Sequence, residues 1–194
     1  MKFKIWTVLF LIIVVCISAG MLNAIHFYTD PIAQKNARIK IQRSILEIFD
    51  IPYEETSVEE AFKENIYIDT KTVEGFTIYR TEAGIAFEIS GPGFWETISV
   101  LIALEPDLET IKGLRILKHA ETPGLGGRIT ESWFQDQFKG KKLVPDLKIV
   151  SHKKAEGPNQ VDAITGATET SKALERMINN NVRAFYQKIN SFGK

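Results

Sequence analysis

Thiol chemistry is almost missing from this chain, which has 194 residues and a single cysteine, Cys16. One cysteine excludes an intrachain disulfide and any thiolate metal cluster. The three histidines, His26, His119 and His152, are scattered without ligand spacing, so no metal site is indicated. Charge of one sign is also lacking: Lys plus Arg and Asp plus Glu each number 24, which leaves no basic excess to recruit nucleic acid. There is no internal repeat, no low-complexity linker and no nucleophile paired with a base, so no catalytic residue is assigned.

What the chain does have is one long apolar run. Ile5 to Leu22 is broken only by Thr7 and Ser18 and follows Lys2 and Lys4. As a helix it reaches about 27 Å, enough to cross the hydrocarbon layer, with Trp6 near one interface. The basic flank belongs on the cytoplasmic side, so everything from about His26 onward is expected outside the inner (cytoplasmic) membrane. A cleaved signal peptide competes with a single-pass anchor. The run is longer than a usual signal core and Leu22-Asn23-Ala24 is a poor cleavage site, which favours the anchor. Cys16 lies inside the run after Val14-Val15, as a membrane-embedded packing residue. The roughly 170 residues that follow suffice for one globular domain.

The periodicity of that remainder predicts an α+β fold, an antiparallel sheet flanked by helices. Pro31 to Phe49 reads as a helix ended by Pro52. A short helix is expected from Ser57, with Glu60 completing a capping box. Strands occupy Thr72 to Lys118: Thr77–Arg80 and Ile85–Ile89 flank a hairpin turn at Glu82-Ala83-Gly84, and Ile98, Val100, Ile102 and Leu104 alternate before a turn at Pro106-Asp107. Trp133, Phe134 and Phe138 fit a helix, Lys148 to Ser151 a strand, and Leu174 to Ile189 one face of a helix running to about Gln187. The organisation expected is an anchor (1–25), a connecting helical region (26–70) and a ligand-binding domain (71–194).

Three segments carry chemistry. Asp162 to Thr168 reads D-A-I-T-G-A-T and leads into the last helix. Gly166 gives the backbone freedom for a sharp approach, and Thr168 falls at or just before a helix N-terminus, where phosphate is favoured by free N–H groups and the helix dipole. The same turn is explained as plain capping by Thr168, Thr170 or Ser171, with Asp162 as an Asx-turn residue. His119 to Ile129 reads H-A-E-T-P-G-L-G-G-R-I, a Pro-Gly loop able to approach a planar ligand or simply to turn the chain. Gly91 to Trp95 reads G-P-G-F-W; no helix follows it, so it is not a Rossmann fingerprint, and Trp95 either packs by a ligand or fills the core.

Asp162–Thr168 resembles the flavinylation motif of the extracytoplasmic FMN-binding family, which includes the G-type component of the Rnf electron-transport complex and the C-type component of the sodium-translocating NADH:quinone reductase. Glu121, Thr122, Pro123, Gly124, Leu125 and Gly126 match the family's E-T-P-G-L-G signature, and Gly91–Trp95 resembles its Gly-x-Gly-aromatic segment. The resemblance spans Gly75 to Ile189. It implies covalent FMN in phosphoester linkage on Thr168, with Asp162, Thr165, Gly166 and Ala167 read by a separate flavin transferase that uses FAD and Mg²⁺. Glu121 to Gly126 and Trp95 become cofactor-binding candidates, Glu121 and Thr122 by orienting the ring or bonding its polar edge. Gly127-Arg128 departs from the Asp-Lys of many Rnf-type members, whereas Phe138 to Leu143 looks reductase-like, and the subfamily stays open. The function implied is electron transfer within a membrane-anchored, ion-translocating oxidoreductase complex, alongside partner subunits. A free-standing extracytoplasmic FMN-dependent reductase and a non-redox anchored interaction domain remain as alternatives.

Overall fold

In a computed structural model, the chain is described over residues 2–70, 73, 75–151 and 154–192, with side chains over 5–189 of these; Thr72 and His152, named above, lie outside. Its contacts divide it into two compact units, 1–40 and 41–194. Helix α1 (Lys2–Ile48) supplies the first unit and the start of the second. In the first unit Trp6, Phe10, Val15 and Leu22 are all exposed, an apolar surface that requires an apolar surrounding. Among the described residues, the helix from Ile5 to Ile48 is long and apolar enough to cross a membrane. The separate helix expected from Pro31 is not separate. Pro31 lies inside α1, where the missing N–H removes only the bond to the Phe27 carbonyl.

The second unit is built on a five-stranded antiparallel meander in chain order: β1 (Tyr67–Asp69), β2 (Ile78–Thr81), β3 (Gly84–Pro92), β4 (Thr97–Leu104) and β5 (Ile111–Lys118). The alternation read from the sequence sets the register. Phe87 pairs with Ile102 and Ile89 with Val100, which puts both pairs on one face. On the opposite face Ala86 pairs with Ala103 and Ala103 with Gly113, a row of small residues. The last turns of α1 use that space: Ile48 lies against Gly113, and Ile45 and Leu46 are fully buried. Both faces are therefore covered, which is why β4 is buried at every position from Val100 to Leu104.

Helix α2 (Val58–Asn65) follows, burying Val58 and Phe62, and the Phe62 ring meets Tyr79 edge-on at 6.0 Å. The expected capping box is not formed. Ser57 sits at the N-cap position, at φ −119 and ψ 19, without a side-chain cap bond, and its hydroxyl donates back to the Glu54 carbonyl at 3.4 Å. Strand β1, which the sequence reading left out, pairs with β2 between Tyr67 and Arg80, and Arg80 bonds Asp69 at 3.2 Å.

Between β5 and the last helix the chain forms a short 3₁₀ turn (Gly126–Thr130) and a one-turn helix α3 (Ser132–Gln135). A second 3₁₀ turn (Asp136–Phe138) follows and buries Phe138 beside Phe134. A parallel pair of short strands comes next, β6 (Lys148–Val150) and β7 (Gln160–Asp162). Helix α4 (Thr168–Phe192) then crosses the large-residue face of the sheet. Phe185 stacks on Phe87 at 4.2 Å between centroids, and Phe76 meets both edge-on. Met177 fills the space above Gly91, while Asn181 donates to the Ser90 carbonyl at 3.1 Å. Helix α4 also holds β6 directly: Asn179 donates to the Leu147 carbonyl and accepts its N–H, and Glu175 accepts the Ile149 N–H at 2.5 Å. At the far end of α4, the Tyr186 hydroxyl donates to the Leu108 carbonyl; burial, then the nearby Glu109 and Asp107 carboxylates, pushes that phenol up to about 12.

Candidate functional site

Three turns meet at one end of the sheet. The first is the β3–β4 hairpin, Gly93 to Glu96, closed by the Gly93 N–H bonding the Glu96 carbonyl at 2.7 Å. The second is the Pro-Gly loop after β5, in which the Thr122 carbonyl accepts the N–H groups of Leu125 and Gly127. The third runs from the end of β7 into α4. Together they enclose a cavity of about 400 Å³ lined by Phe94, Trp95, Glu121, Thr122, Leu125, Gly126 and residues 166–170. That volume falls within the range of small-molecule sites, about 300 to 1,000 Å³. The walls are aromatic and aliphatic at the rim: Trp95 is 67% exposed, Phe94 55% and Leu125 48%, and the two aromatic rings meet edge-on at 5.3 Å.

The start of α4 decides between capping and binding for its threonines. The Ala167 carbonyl accepts the Ser171 N–H at 3.0 Å, so Ala167 occupies the cap position and Thr168 is the first residue of the helix. An alanine offers no side-chain cap. Thr170 is buried and donates its hydroxyl to Glu121 at 2.6 Å, and the Ser171 hydroxyl bonds the Ala167 carbonyl and the Ile164 N–H. None of the three hydroxyl residues serves as an N-cap. Gly166, at φ +79, makes the left-handed turn that a side chain resists, and Thr165 and Gly166 are exposed ahead of a half-buried Thr168.

Asp162 is a strand-end residue rather than an Asx turn. Its Oδ1 accepts the Ala155 N–H at 2.5 Å, and its own N–H donates to Gln137 Oε1 at 2.9 Å. It lines a second, more polar cavity of about 520 Å³ with Ser151, Lys154, Thr165, Gly166 and Thr168. Thr168 therefore stands between two cavities. His119 is a loop residue: its Nδ1 accepts the Glu121 N–H at 3.1 Å. Pro123 and Gly124 are exposed and do not line the first cavity, whereas Glu121, Thr122, Leu125 and Gly126 do. On the outer side of the loop Arg128 bonds Glu131 at 3.1 Å and lies over the Trp133 ring at 5.3 Å. The Arg128 guanidinium, then the Trp133 indole N–H, holds the Glu131 carboxyl below the ordinary carboxylate range.

Residues 93–183 match the family model described as an FMN-binding domain. Over that stretch the chain is similar to that family. The matched stretch opens at the first residue of the β3–β4 turn and contains all three turns of the cavity. Among named relatives, the C-type component of the Na⁺-translocating NADH-quinone reductase of Yersinia pestis is 33% identical over 115 residues, 56% of this chain and 41% of that protein. The G-type component of the Na⁺-translocating ferredoxin:NAD⁺ oxidoreductase complex of Acetobacterium woodii is 38% identical over 98 residues, 50% of this chain and 46% of that protein. The chain thus spans under half the length of these relatives. The crystal structure of Shewanella oneidensis NqrC superposes with a TM-score of 0.71 at 19% identity, covering 81% of this chain and 99% of that one. The crystal structure of the C-type reductase component from Parabacteroides distasonis gives 0.65 at 23% identity, covering 81% and 95%. These likenesses establish the α+β architecture.

Within the matched stretch, the sequence reading missed Phe94, Glu169 and Thr170 as cavity residues, and Lys154 and Ser151 at the second cavity. Phe94 and Thr170 were one and two residues from named candidates. Lys154 carried no signal, since a lone lysine in a loop looks like any solvated charge. Among the described residues no cluster of histidine, cysteine and acidic side chains is arranged to hold a metal.

Proposed function

We propose that this protein is a membrane-anchored electron carrier that bears FMN as a phosphoester on Thr168 and serves within an ion-translocating oxidoreductase complex of the Nqr or Rnf kind. One observation carries the reading: three turns distant in sequence converge on a single cavity whose edge is the hydroxyl-bearing first residue of a 25-residue helix with no side-chain cap. The family match and the relatives support it. FMN held there would supply the redox chemistry for electron transfer between partner subunits.

The chain's own residues have simpler tasks. Thr168 Oγ1 anchors the phosphate end, and the N–H groups of the first turn of α4 face that end with the positive pole of the helix. Dipole attraction is worth about 0.3 to 1 kcal/mol, up to about 2 in a partly buried site, far below the roughly 8 kcal/mol that even micromolar retention needs. A covalent bond removes that requirement. Trp95, Phe94 and Leu125 supply apolar surface for a planar ring and exclude water from one side of it, with the backbone of Thr122, Pro123, Gly124 and Gly126 shaping the loop. Asp162, Thr165, Gly166 and Ala167 form the segment a flavin transferase reads. Thr165 and Gly166 are exposed, as such recognition demands.

The anchor (1–25), connecting region (26–70) and flavin-carrying domain (71–194) give the topology of this reading: N-terminus in the cytoplasm, a single pass through the inner membrane, and the cavity on the periplasmic side. A reporter active only outside the cytoplasm, fused after Lys194, should be active; cytoplasmic activity would refute the orientation. Protein made with the transferase should keep flavin fluorescence after denaturation, and Thr168→Ala should lose it. Retained fluorescence would move the acceptor to Thr165, because the Thr170 hydroxyl is buried against Glu121.

A further inference from the structure

We infer that Glu121 is a positioning residue that shapes the cavity through the backbone of the Phe94–Trp95 turn and through Thr170, and whose charge disfavours electron addition in the cavity. The second half rests on the flavin reading above; the first does not.

Glu121 is 3% exposed, and both of its oxygens already have partners. Oε1 accepts the N–H groups of Phe94 at 2.8 Å and Trp95 at 3.1 Å, and Oε2 accepts the Thr170 hydroxyl at 2.6 Å. One side chain thus joins the aromatic wall, the Pro-Gly loop and the first turn of α4. Neighbouring glycines make room for it. A Cβ on Gly93 would lie 2.5 Å from Glu121 Oε1, and one on Gly126 would lie 2.9 Å from Oε2 and 2.5 Å from Thr170 Oγ1. The carboxylate is therefore packed between two positions at which an added side chain would force it to shift.

Hydrogen bonding alone does not require the charge. A glutamine could accept both N–H groups on its Oε1 and donate its amide to the Thr170 hydroxyl, which both donates and accepts. A buried carboxylate without a cation costs more than such an amide. Among the described residues Glu121 has no ion-pair partner, and the cavity walls include a second carboxylate, Glu169, but no lysine, arginine or histidine. A fixed negative charge in a water-poor wall opposes the arrival of another. The predicted consequence is a lowered reduction potential.

Two measurements on the full chain in detergent test the two halves separately. The first needs no cofactor: anisotropy decay of Trp95 emission in a Trp6→Phe, Trp133→Phe background. Glu121→Gln should match the parent, whereas Glu121→Asp, one methylene too short to reach all three donors, and Glu121→Ala should gain fast local motion at Trp95. If Ala fails to fold, Asp alone decides; parent-like decay in the shortened variants that fold overturns the positioning role. The second uses flavin-loaded protein. Glu121→Gln should leave the absorption spectrum near the parent's while shifting reduction about tenfold in favour of the reduced state, ~59 mV for one electron. An unchanged potential overturns the charge effect. A parent that carries no flavin fails the functional reading and leaves the Trp95 test standing.

Discussion

Gly126→Ala probes the structure of the site without touching Thr168. The added Cβ would lie 2.5 Å from Thr170 Oγ1 and 2.9 Å from Glu121 Oε2, and 3.1 Å from Glu121 Cβ. Carbon at those separations forces the carboxylate and the hydroxyl apart, and the 2.6 Å bond between them breaks. A hydrogen bond to a charged group contributes about 1.5 to 3 kcal/mol, and overpacking a tight site costs about 1 to 3 kcal/mol. The two overlap because relieving the clash breaks the bond, so the expected loss is roughly 2 to 4 kcal/mol. For a domain of this size that lowers the melting temperature by about 4 to 16 °C. Gly124→Ala is the comparison. Nothing lies within 4 Å of its Cβ, but φ is +74, so the cost is backbone strain alone, about 1 to 2 kcal/mol. Thermal melts of both variants, each repeated in a Thr170→Ala background, separate the causes. Removing the Thr170 side chain should return at least about 1 kcal/mol to Gly126→Ala and nothing to Gly124→Ala. Additivity at Gly126 would refute the packing described here.

Asp107 gives a pH-dependent test. The Thr110 hydroxyl first, then the Thr110 N–H, Lys142 and the Glu109 N–H, hold its carboxyl well below the ordinary carboxylate range. Since the folded value lies below the unfolded one, the contribution is complete above about pH 4 and is lost as the pH falls toward the folded value. Asp107→Asn should therefore lower urea resistance at pH 7, with the difference from the parent narrowing below about pH 4; a constant difference would show that the carboxylate's charge is not involved. Asp162→Ala removes one bond to the Ala155 N–H, about 1.5 to 3 kcal/mol, so the domain should still fold while attachment in the presence of the transferase falls. Full modification of that variant would take Asp162 out of the recognition segment.

The legible parts of this chain were those whose signal is local. Ile98, Val100, Ile102 and Leu104 recur at every second position because they line the face of β4 that meets the large-residue core, and the spacing from Leu174 to Ile189 follows one face of α4. Strands β1 and β7 escaped notice because Tyr67-Ile68-Asp69 and Gln160-Val161-Asp162 each end on a polar residue, whereas the equally short β6 ends on Ile149-Val150. The capping box at Ser57 failed because the Ser57 backbone, at φ −119 and ψ 19, lies outside the extended region usual for a capping residue. At the site, the three turns could be named from their glycines and from the family signature. Their meeting could not be seen, since the contact that joins them, Thr170 to Glu121, spans 49 residues. Nor could composition show that Ala167 would take the cap position and leave Thr168 as the first helical residue.

The central claim is tested most directly by peptide mapping with mass spectrometry on protein isolated from its native membrane. The account predicts that the peptide containing Asp162 to Thr168 carries the added mass of FMN in phosphoester linkage, with fragmentation placing it on Thr168. An unmodified Thr168 in the native protein, or FMN found on another residue, would contradict it.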